Sequence, residues 1–362
     1  MSGASPPHLR RSRALLLLLP ALASVPATAS FVVPSPARAV RRRSAACTCV
    51  LATDEAALVC APGTLASRVE HAVVGLYGAS QTRRVRESLQ ALSSGQTLDR
   101  RLSDSHELMV QQANSYIESL TPRPWHDTSQ HKWAKRLADK WKVVRDELRA
   151  SLRDPAALEA AGQNIWGGLD ESIVEYGTGW KTLPLCDRTV WDPVNSALFP
   201  KTCELLHKCK VPLVEAFFAK MDPHSEIKPH SDMCNFVLTC HLGLEVPEGQ
   251  CELSVGGEAV EWRNGHVMLF DTSILHAAEN RAPSTRYILM MRVYHPELTA
   301  VERSALQLVF DCLDEPELLD DSDALSEYEV RRRAVEAASR EAWEAAAASG
   351  SKKKKRRRRD AK

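Results

Sequence analysis

The chain has 362 residues with 47 Lys and Arg against 46 Asp and Glu, room for two average domains or one large domain with extensions. Its 44% apolar content excludes a chain unable to build a core. Setting aside the seven arginines of residues 1–53, the eight bases of 352–359, Asp360 and Lys362 leaves 31 bases and 45 acids, an acidic body unsuited to nucleic acid.

The N-terminus reads as an address. Arg10, Arg11 and Arg13 precede "ALLLLLPALASV", too short to span a membrane, and then the small residues "ATAS", which makes residues 1–30 a signal peptide. Residues 31–54 are basic and free of acids until Asp54, as transit segments are. Together they predict a bipartite plastid leader, with a plain secretory signal and the ER lumen as the alternative. No stable membrane span is expected in the mature chain. The cysteines show no paired CxxC spacing, which argues against a zinc ribbon and for buried free thiols.

Residues 55–122 read as a helical flank, because "LASRVEHAVVGL" and "SHELMVQQANSYIESL" carry apolar residues at three- and four-residue spacing. "TPRPWHD" then marks entry into a domain spanning 123–306. Within it, "HKWAKRLADKWKVVRDELRASL" is predicted as one amphipathic helix with Trp133, Leu137, Trp141, Val144 and Leu148 on one side. "EAFFAKM", "NFVLTCHLGLEV", "CELSVGGEAVEW", "HVMLFD" and "RYILMMRVYH" follow as β-prone runs, the third a hairpin turning at Gly256-Gly257. Closely spaced strands without helices between them predict a mainly β fold, an antiparallel sandwich or jelly roll. Residues 307–349 read as C-terminal helices and 350–362 as a disordered basic tail, either solvated or meeting an acidic partner.

"PHSDMCNF" (229–236) contains the chemistry-bearing pair His230 and Asp232. On a strand, residues two apart face the same way, so both could reach one metal. His276, after the strand "HVMLFDTS", could supply a second imidazole, and Arg286, opening the next strand, could grip a carboxylate with two parallel hydrogen bonds. Two His and one carboxylate on one face of an octahedron hold non-haem Fe(II) and leave three positions for cosubstrate and oxygen. Taken singly, an HxD is usually a loop and a lone His usually structural; the conjunction predicts a 2-oxoglutarate oxygenase. Asp271 reads as a turn cap and Trp180, Trp191 and Trp262 as core or pocket wall.

"FPKTCELL" (199–206), "CHLGLEVPEG" (240–249), "WRNGHVMLFDTSILHAAEN" (262–280) and "RYILMMRVYHPELT" (286–299), in this order, resemble the aspartyl/asparaginyl β-hydroxylase family. The resemblance spans about 123–306. It implies a double-stranded β-helix, a cupin-like jelly roll with helices at either end, that uses Fe(II), 2-oxoglutarate and O2 to hydroxylate the β-carbon of Asp or Asn in a polypeptide. A small molecule or lipid as substrate, or a binding scaffold without catalysis, are the alternatives. Residue by residue, it places iron ligands at His230 and His276, the carboxylate-binding arginine at Arg286, and a cosubstrate neighbour at His241. Three positions depart from it. Asp232 stands where the best-known members have Gly, which would complete the iron triad. Ala219 stands where a Ser is usual and Thr239 where an Arg is usual, so Thr239 offers the cosubstrate one hydrogen bond and no charge. The substrate-recognising helical repeats of the family, about 34 residues each, do not fit within 55–122.

Overall fold

The computed structural model describes residues 59–153, 166–168 and 179–360, so the expected signal and transit segments lie outside the described residues. The chain forms two compact units. One comprises Thr97–Thr299 and the residues from Glu327 onward; the other comprises the described residues before Thr97 together with Ala300–Ser326.

The smaller unit is helical: α1 (Leu65–Tyr77), α2 (Arg83–Ser93), α7 (Ala300–Asp314) and α8 (Ser322–Ser326). Its organising group is the fully buried carboxylate of Glu70. It accepts hydrogen bonds from the backbone N–H groups of Val59 and Cys60 and from Arg86 Nε at 2.8 Å, so the buried charge is neutralised and solvated by protein. Arg84 binds Glu302 with two parallel hydrogen bonds of 2.7 Å and joins α2 to α7.

The larger unit holds two antiparallel sheets. One runs in the order β11 (Val267–Phe270), β8 (Val237–Glu245), β13 (Arg286–Tyr294), β6 (Leu213–Met221), β4 (Trp180–Asp187), β3 (Gly167–Gly168), with β5 (Val190–Trp191) paired to β4. The other runs β10 (Glu258–Glu261), β9 (Cys251–Val255), β12 (His276–Asn280), β7 (Ser225–His230). This is the expected double-stranded β-helix with helical flanks, and it adds β3, β4, β5, β7 and β12 to the strands read from sequence.

Alternation along the strands makes two apolar layers. Ala219, Met221, Phe270 and Ile288 meet Ile227, Leu253, Val255 and Ala278 between the sheets. The opposite residues of the larger sheet, including Phe218, Leu242, Leu289 and Met291, pack against Leu137, Val144, Leu148 and Leu206 of the helices α3 (Lys132–Asp139), α4 (Trp141–Leu152) and α6 (Pro200–Cys209), while α5 (Pro193–Leu198) leads into α6. With both faces covered, β8 and β13 read as near-continuous apolar runs. The described cysteines are buried free thiols, as expected.

Several expectations are corrected. The helix predicted across 131–152 is broken at Lys140 into α3 and α4. The segment 105–120 is not helical: Val110–Ala113 forms β2, paired with β1 (Leu98–Arg101), and the core unit therefore starts near Thr97 instead of 123. Tertiary hydrogen bonds override local spacing there, Gln112 N–H donating to the Ser273 carbonyl at 2.7 Å and Leu275 N–H to the Val110 carbonyl at 3.0 Å. The basic run predicted to be disordered continues the helix α9 (Tyr328–Asp360). Ala, Lys and Arg are good helix formers, and composition alone had outweighed that propensity. Trp343 anchors α9, buried with its ring centroid 4.6 Å from Trp191 and 6.3 Å from His207.

Three glycines meet constraints that other residues would not. Gly256 and Gly257 both have positive φ, +59° and +86°, as a two-residue hairpin turn between β9 and β10 requires. Gly243, inside β8, admits no side chain, because a Cβ there would lie 2.2 Å from the carbonyl oxygen of Arg263. Gly243→Ala should therefore lower unfolding stability by about 1–3 kcal/mol, read from the urea midpoint. An unchanged midpoint would mean that the Arg263–His266 turn is free to move away from β8.

Candidate metal centre

Register in the smaller sheet brings the two imidazoles together. β12 runs antiparallel to β7, and His276 is the cross-strand partner of His230. Their ring centroids are 4.2 Å apart. Each ring donates its Nδ1–H to the backbone carbonyl two residues earlier, His230 to Lys228 at 2.8 Å and His276 to Ile274 at 3.0 Å. A carbonyl only accepts, so both Nδ1 atoms carry a proton, and in the neutral rings each Nε2 presents a lone pair.

Asp232 faces those lone pairs. Its Oδ1 lies 3.6 Å from His230 Nε2 and 3.9 Å from His276 Nε2. Burial and the neighbouring His230 push the His276 imidazolium down to about 4, so the ring is neutral, as a ligand must be. Three electron-pair donors thus converge in a site where Asp232 is 3% and His276 8% exposed. Among the described residues this is the one cluster of His, Cys or acidic groups with metal-ligand spacing. Converging lone pairs repel unless a cation lies between them, so the donor set fits a divalent metal.

The expected strand geometry of His230 and Asp232 needs correction. His230 ends β7, and Asp232 lies beyond it in a loop. That loop is tied down by the β1–β2 hairpin and its continuation: Ser231 Oγ donates to the Gln112 carbonyl at 2.6 Å, the N–H groups of Asn114 and Ser115 donate to the Met233 carbonyl, and Asp232 N–H donates to the Thr272 carbonyl at 2.8 Å. His276 likewise opens β12; sequence placed it after a strand.

Arg286 opens β13 as predicted and points between the sheets, 1% exposed. Its Nε and Nη1 have no hydrogen-bond partner, Nη2 reaches the Met221 sulfur at 3.2 Å, and the guanidinium lies 4.3 Å over the Trp262 ring. Burial pushes its pKa down to about 10. Trp262 also donates its indole N–H to His241 Nδ1 at 3.2 Å. Burial, then Arg286, holds His241 neutral, so its proton is on Nε2, an atom that also lacks a partner. Arg286 and His241 therefore present unpartnered N–H donors inside the sandwich, a fit for a carboxylate. Trp262, read as core or pocket wall, is the surface on which both rest.

Thr239 is fully buried on β8, its hydroxyl 3.4 Å from that of Thr272. Its cross-strand partner on β13 is Arg292. An arginine thus stands directly across the strand pair from the position where the family resemblance expects one. Arg292 donates Nη2–H to Asp232 Oδ2, and its Nε is 3.9 Å from Glu215 Oε2. Burial pushes the Glu215 carboxyl up to about 7, against the pull of Arg292. Sequence reading passed over both residues. The available signal was parity: Arg292 is six residues from Arg286 on one strand and so shares its inner face. Asp271 caps its turn as predicted, accepting from Ser273 N–H at 2.9 Å and its hydroxyl at 2.5 Å.

The aspartyl/asparaginyl beta-hydroxylase family profile matches residues 138–296. The aspartyl/asparaginyl beta-hydroxylase of Homo sapiens is 29% identical over 214 residues, 56% of this chain and 27% of that protein. Aspartate beta-hydroxylase domain-containing protein 2 of Xenopus tropicalis is 36% identical over 139 residues, 36% of this chain and 37% of that protein. The chain thus spans roughly a quarter to two fifths of the length of these relatives. Among solved structures, the Schizosaccharomyces pombe Cnp3 cupin domain superposes with a TM-score of 0.23 at 11% identity, over 35% of this chain and 73% of that domain, too remote to add to the strand order itself. The matched segment contains His230, Asp232, His276, Arg286 and Arg292, and residues 138–296 belong to the aspartyl/asparaginyl beta-hydroxylase family.

Proposed function

We propose that this chain is an Fe(II)- and 2-oxoglutarate-dependent dioxygenase that hydroxylates an unactivated carbon, by the naming of its relatives the β-carbon of Asp or Asn in a polypeptide. The observation that carries this reading is the adjacency, across Phe270, of two complementary sets of groups: three converging ligand atoms at His230, Asp232 and His276, and unpartnered N–H donors at Arg286 and His241. Fe(II) would supply the oxidising chemistry there, with O2 inserting one oxygen atom into the C–H bond and converting 2-oxoglutarate to succinate and carbon dioxide.

The residues of the chain have separate roles in this reading. His230 and His276 would hold the metal through Nε2, their orientation fixed by the Nδ1–H bonds to Lys228 and Ile274. Asp232 would add a negative charge that favours higher oxidation states. Arg286 would pair with the far carboxylate of 2-oxoglutarate and His241 would add an Nε2–H donor. Trp262 and Phe270 wall the site, Phe270 lying 4.9 Å from the His241 ring and 6.1 Å from His276, which keeps water from the reacting atoms. Ala219, between Phe217 and Met221, leaves the end of the inner face of β6 near Arg286 apolar, so the burden of holding the anion falls on Arg286.

Two outcomes test the assignment. His230→Ala or His276→Ala should abolish succinate formation from 2-oxoglutarate, measured under air with added Fe(II); turnover equal to the parent in both variants would remove this site from the reaction. Arg286→Met should raise the KM for 2-oxoglutarate by on the order of a hundredfold, as loss of a buried charge partner does, while Mn(II) affinity measured without cosubstrate stays at the parent value. A parent KM in that variant would place the cosubstrate elsewhere. Mass spectrometry of polypeptides, metabolites and lipids for one added oxygen dependent on 2-oxoglutarate identifies the substrate class.

A further inference from the structure

We propose that Arg292 is a positioning residue for the metal centre: it holds one carboxylate oxygen of Asp232 so that only the other faces the cation. The inference rests on the reading of His230, Asp232 and His276 as metal ligands, and the experiment below separates the two.

The two oxygens of Asp232 already have different partners. Oδ1 faces both imidazole Nε2 atoms, at 3.6 and 3.9 Å. Oδ2 accepts from Arg292 Nη2, and Arg292 in turn has Glu215 behind it, Nε to Oε2 3.9 Å. The three charged side chains form one buried row.

The elements that carry them differ in rigidity. Asp232 sits in a loop just beyond β7, next to Met233 in the left-handed region at φ +58°. Its N–H bond to Thr272 fixes the main chain, and the carboxylate is oriented separately, through the Arg292 bond to Oδ2. Arg292 stands on β13, hydrogen-bonded to β6 on one side and β8 on the other. A central strand therefore lends its placement to a loop residue.

The consequence is a matter of counting positions. Two imidazoles and one carboxylate oxygen leave three of six octahedral positions, enough for a chelating keto acid and oxygen. A carboxylate that turned to bind through both oxygens would leave two. By occupying Oδ2, Arg292 keeps the third open.

The test uses Co(II) on the full-length protein without cosubstrate, reading affinity and the visible d–d spectrum. Arg292→Met should weaken Co(II) binding by about 10- to 100-fold, the usual effect of removing a group that orients a ligand, and should change the spectrum. Arg292→Lys, a point charge without the planar fork, should recover part of both. Loss of repulsion between Arg292 and a cation acts in the opposite direction, so the coupling to Asp232 is the decisive quantity. In an Asp232→Gly background, Arg292→Met should produce no further weakening. Because Arg292→Met strands Glu215 in the core and can impair folding, Arg292→Met with Glu215→Gln is the second variant, expected to show the same weakened binding. Parent affinity and spectrum in that double variant, or an equal loss in the Asp232→Gly background, would overturn the proposal. If His276→Ala binds Co(II) like the parent, the metal centre itself is wrong; if His276→Ala loses Co(II) and both Arg292 variants keep it, only the role of Arg292 is.

Discussion

Two guanidinium groups lie inside the sandwich, and the need to neutralise them organises everything around it. A buried charge without a partner costs several kcal/mol, and an aromatic face returns only about 0.5–2 kcal/mol of that. Arg292 is answered from within the chain by Asp232 and Glu215. Arg286 has the Trp262 ring and a thioether, which leaves buried N–H donors suited to an anion brought from outside. The interior of the β-helix is accordingly divided into an end rich in lone pairs and an end rich in donors.

Register builds most of this division before any ligand arrives. The cross-strand pairing of His276 with His230 places two rings without help from loops, and alternation along β6, β8 and β13 turns Glu215, Thr239, His241, Arg286 and Arg292 onto one face. A one-residue slip of β13 would turn both arginines onto the layer that packs against the helices. Gly243 guards against that class of error in β8, where the backbone of Arg263 leaves no room for a side chain. Asp232 is the exception, a ligand candidate on a loop, and its neighbour Ser231 is tied to the β1–β2 hairpin more than a hundred residues earlier.

That hairpin also shows where sequence reading ran out. His230, Asp232, His276 and Arg286 were legible because metal-binding and anion-binding side chains at the ends of apolar runs need a reason to be there. The hairpin was not, because "ELMVQQANSY" satisfies helical spacing as well as strand alternation, and its choice is made by partners around Ser273 and Met233 that are distant in sequence. Arg292 and Glu215 were missed for a related reason. A single charge within an apolar strand reads as the solvent side of a half-buried sheet, and only the packing of α3, α4 and α6 against the other face shows that β13 has no solvent side. The break at Lys140 and the extension of α9 through the basic run are boundary errors of the kind that periodicity alone cannot resolve.

The departures from the family resemblance at 232 and 239 are both consistent with the arginine at position 292 on β13. Arg292 stands directly across from position 239, where antiparallel neighbours are about 4.5–5.5 Å apart. A second arginine there would set two like charges side by side in a water-poor interior, a destabilising arrangement on any strand pair and more so at low dielectric. Thr239 is thus the residue that Arg292 permits. Arg292 in turn demands an anion within reach, and Asp232, at a position where Gly would supply none, provides it. Thr239, Asp232 and Arg292, far apart along the chain, are one arrangement of charge in space: the guanidinium on β13 faces an uncharged position on β8 and has its anion in Asp232.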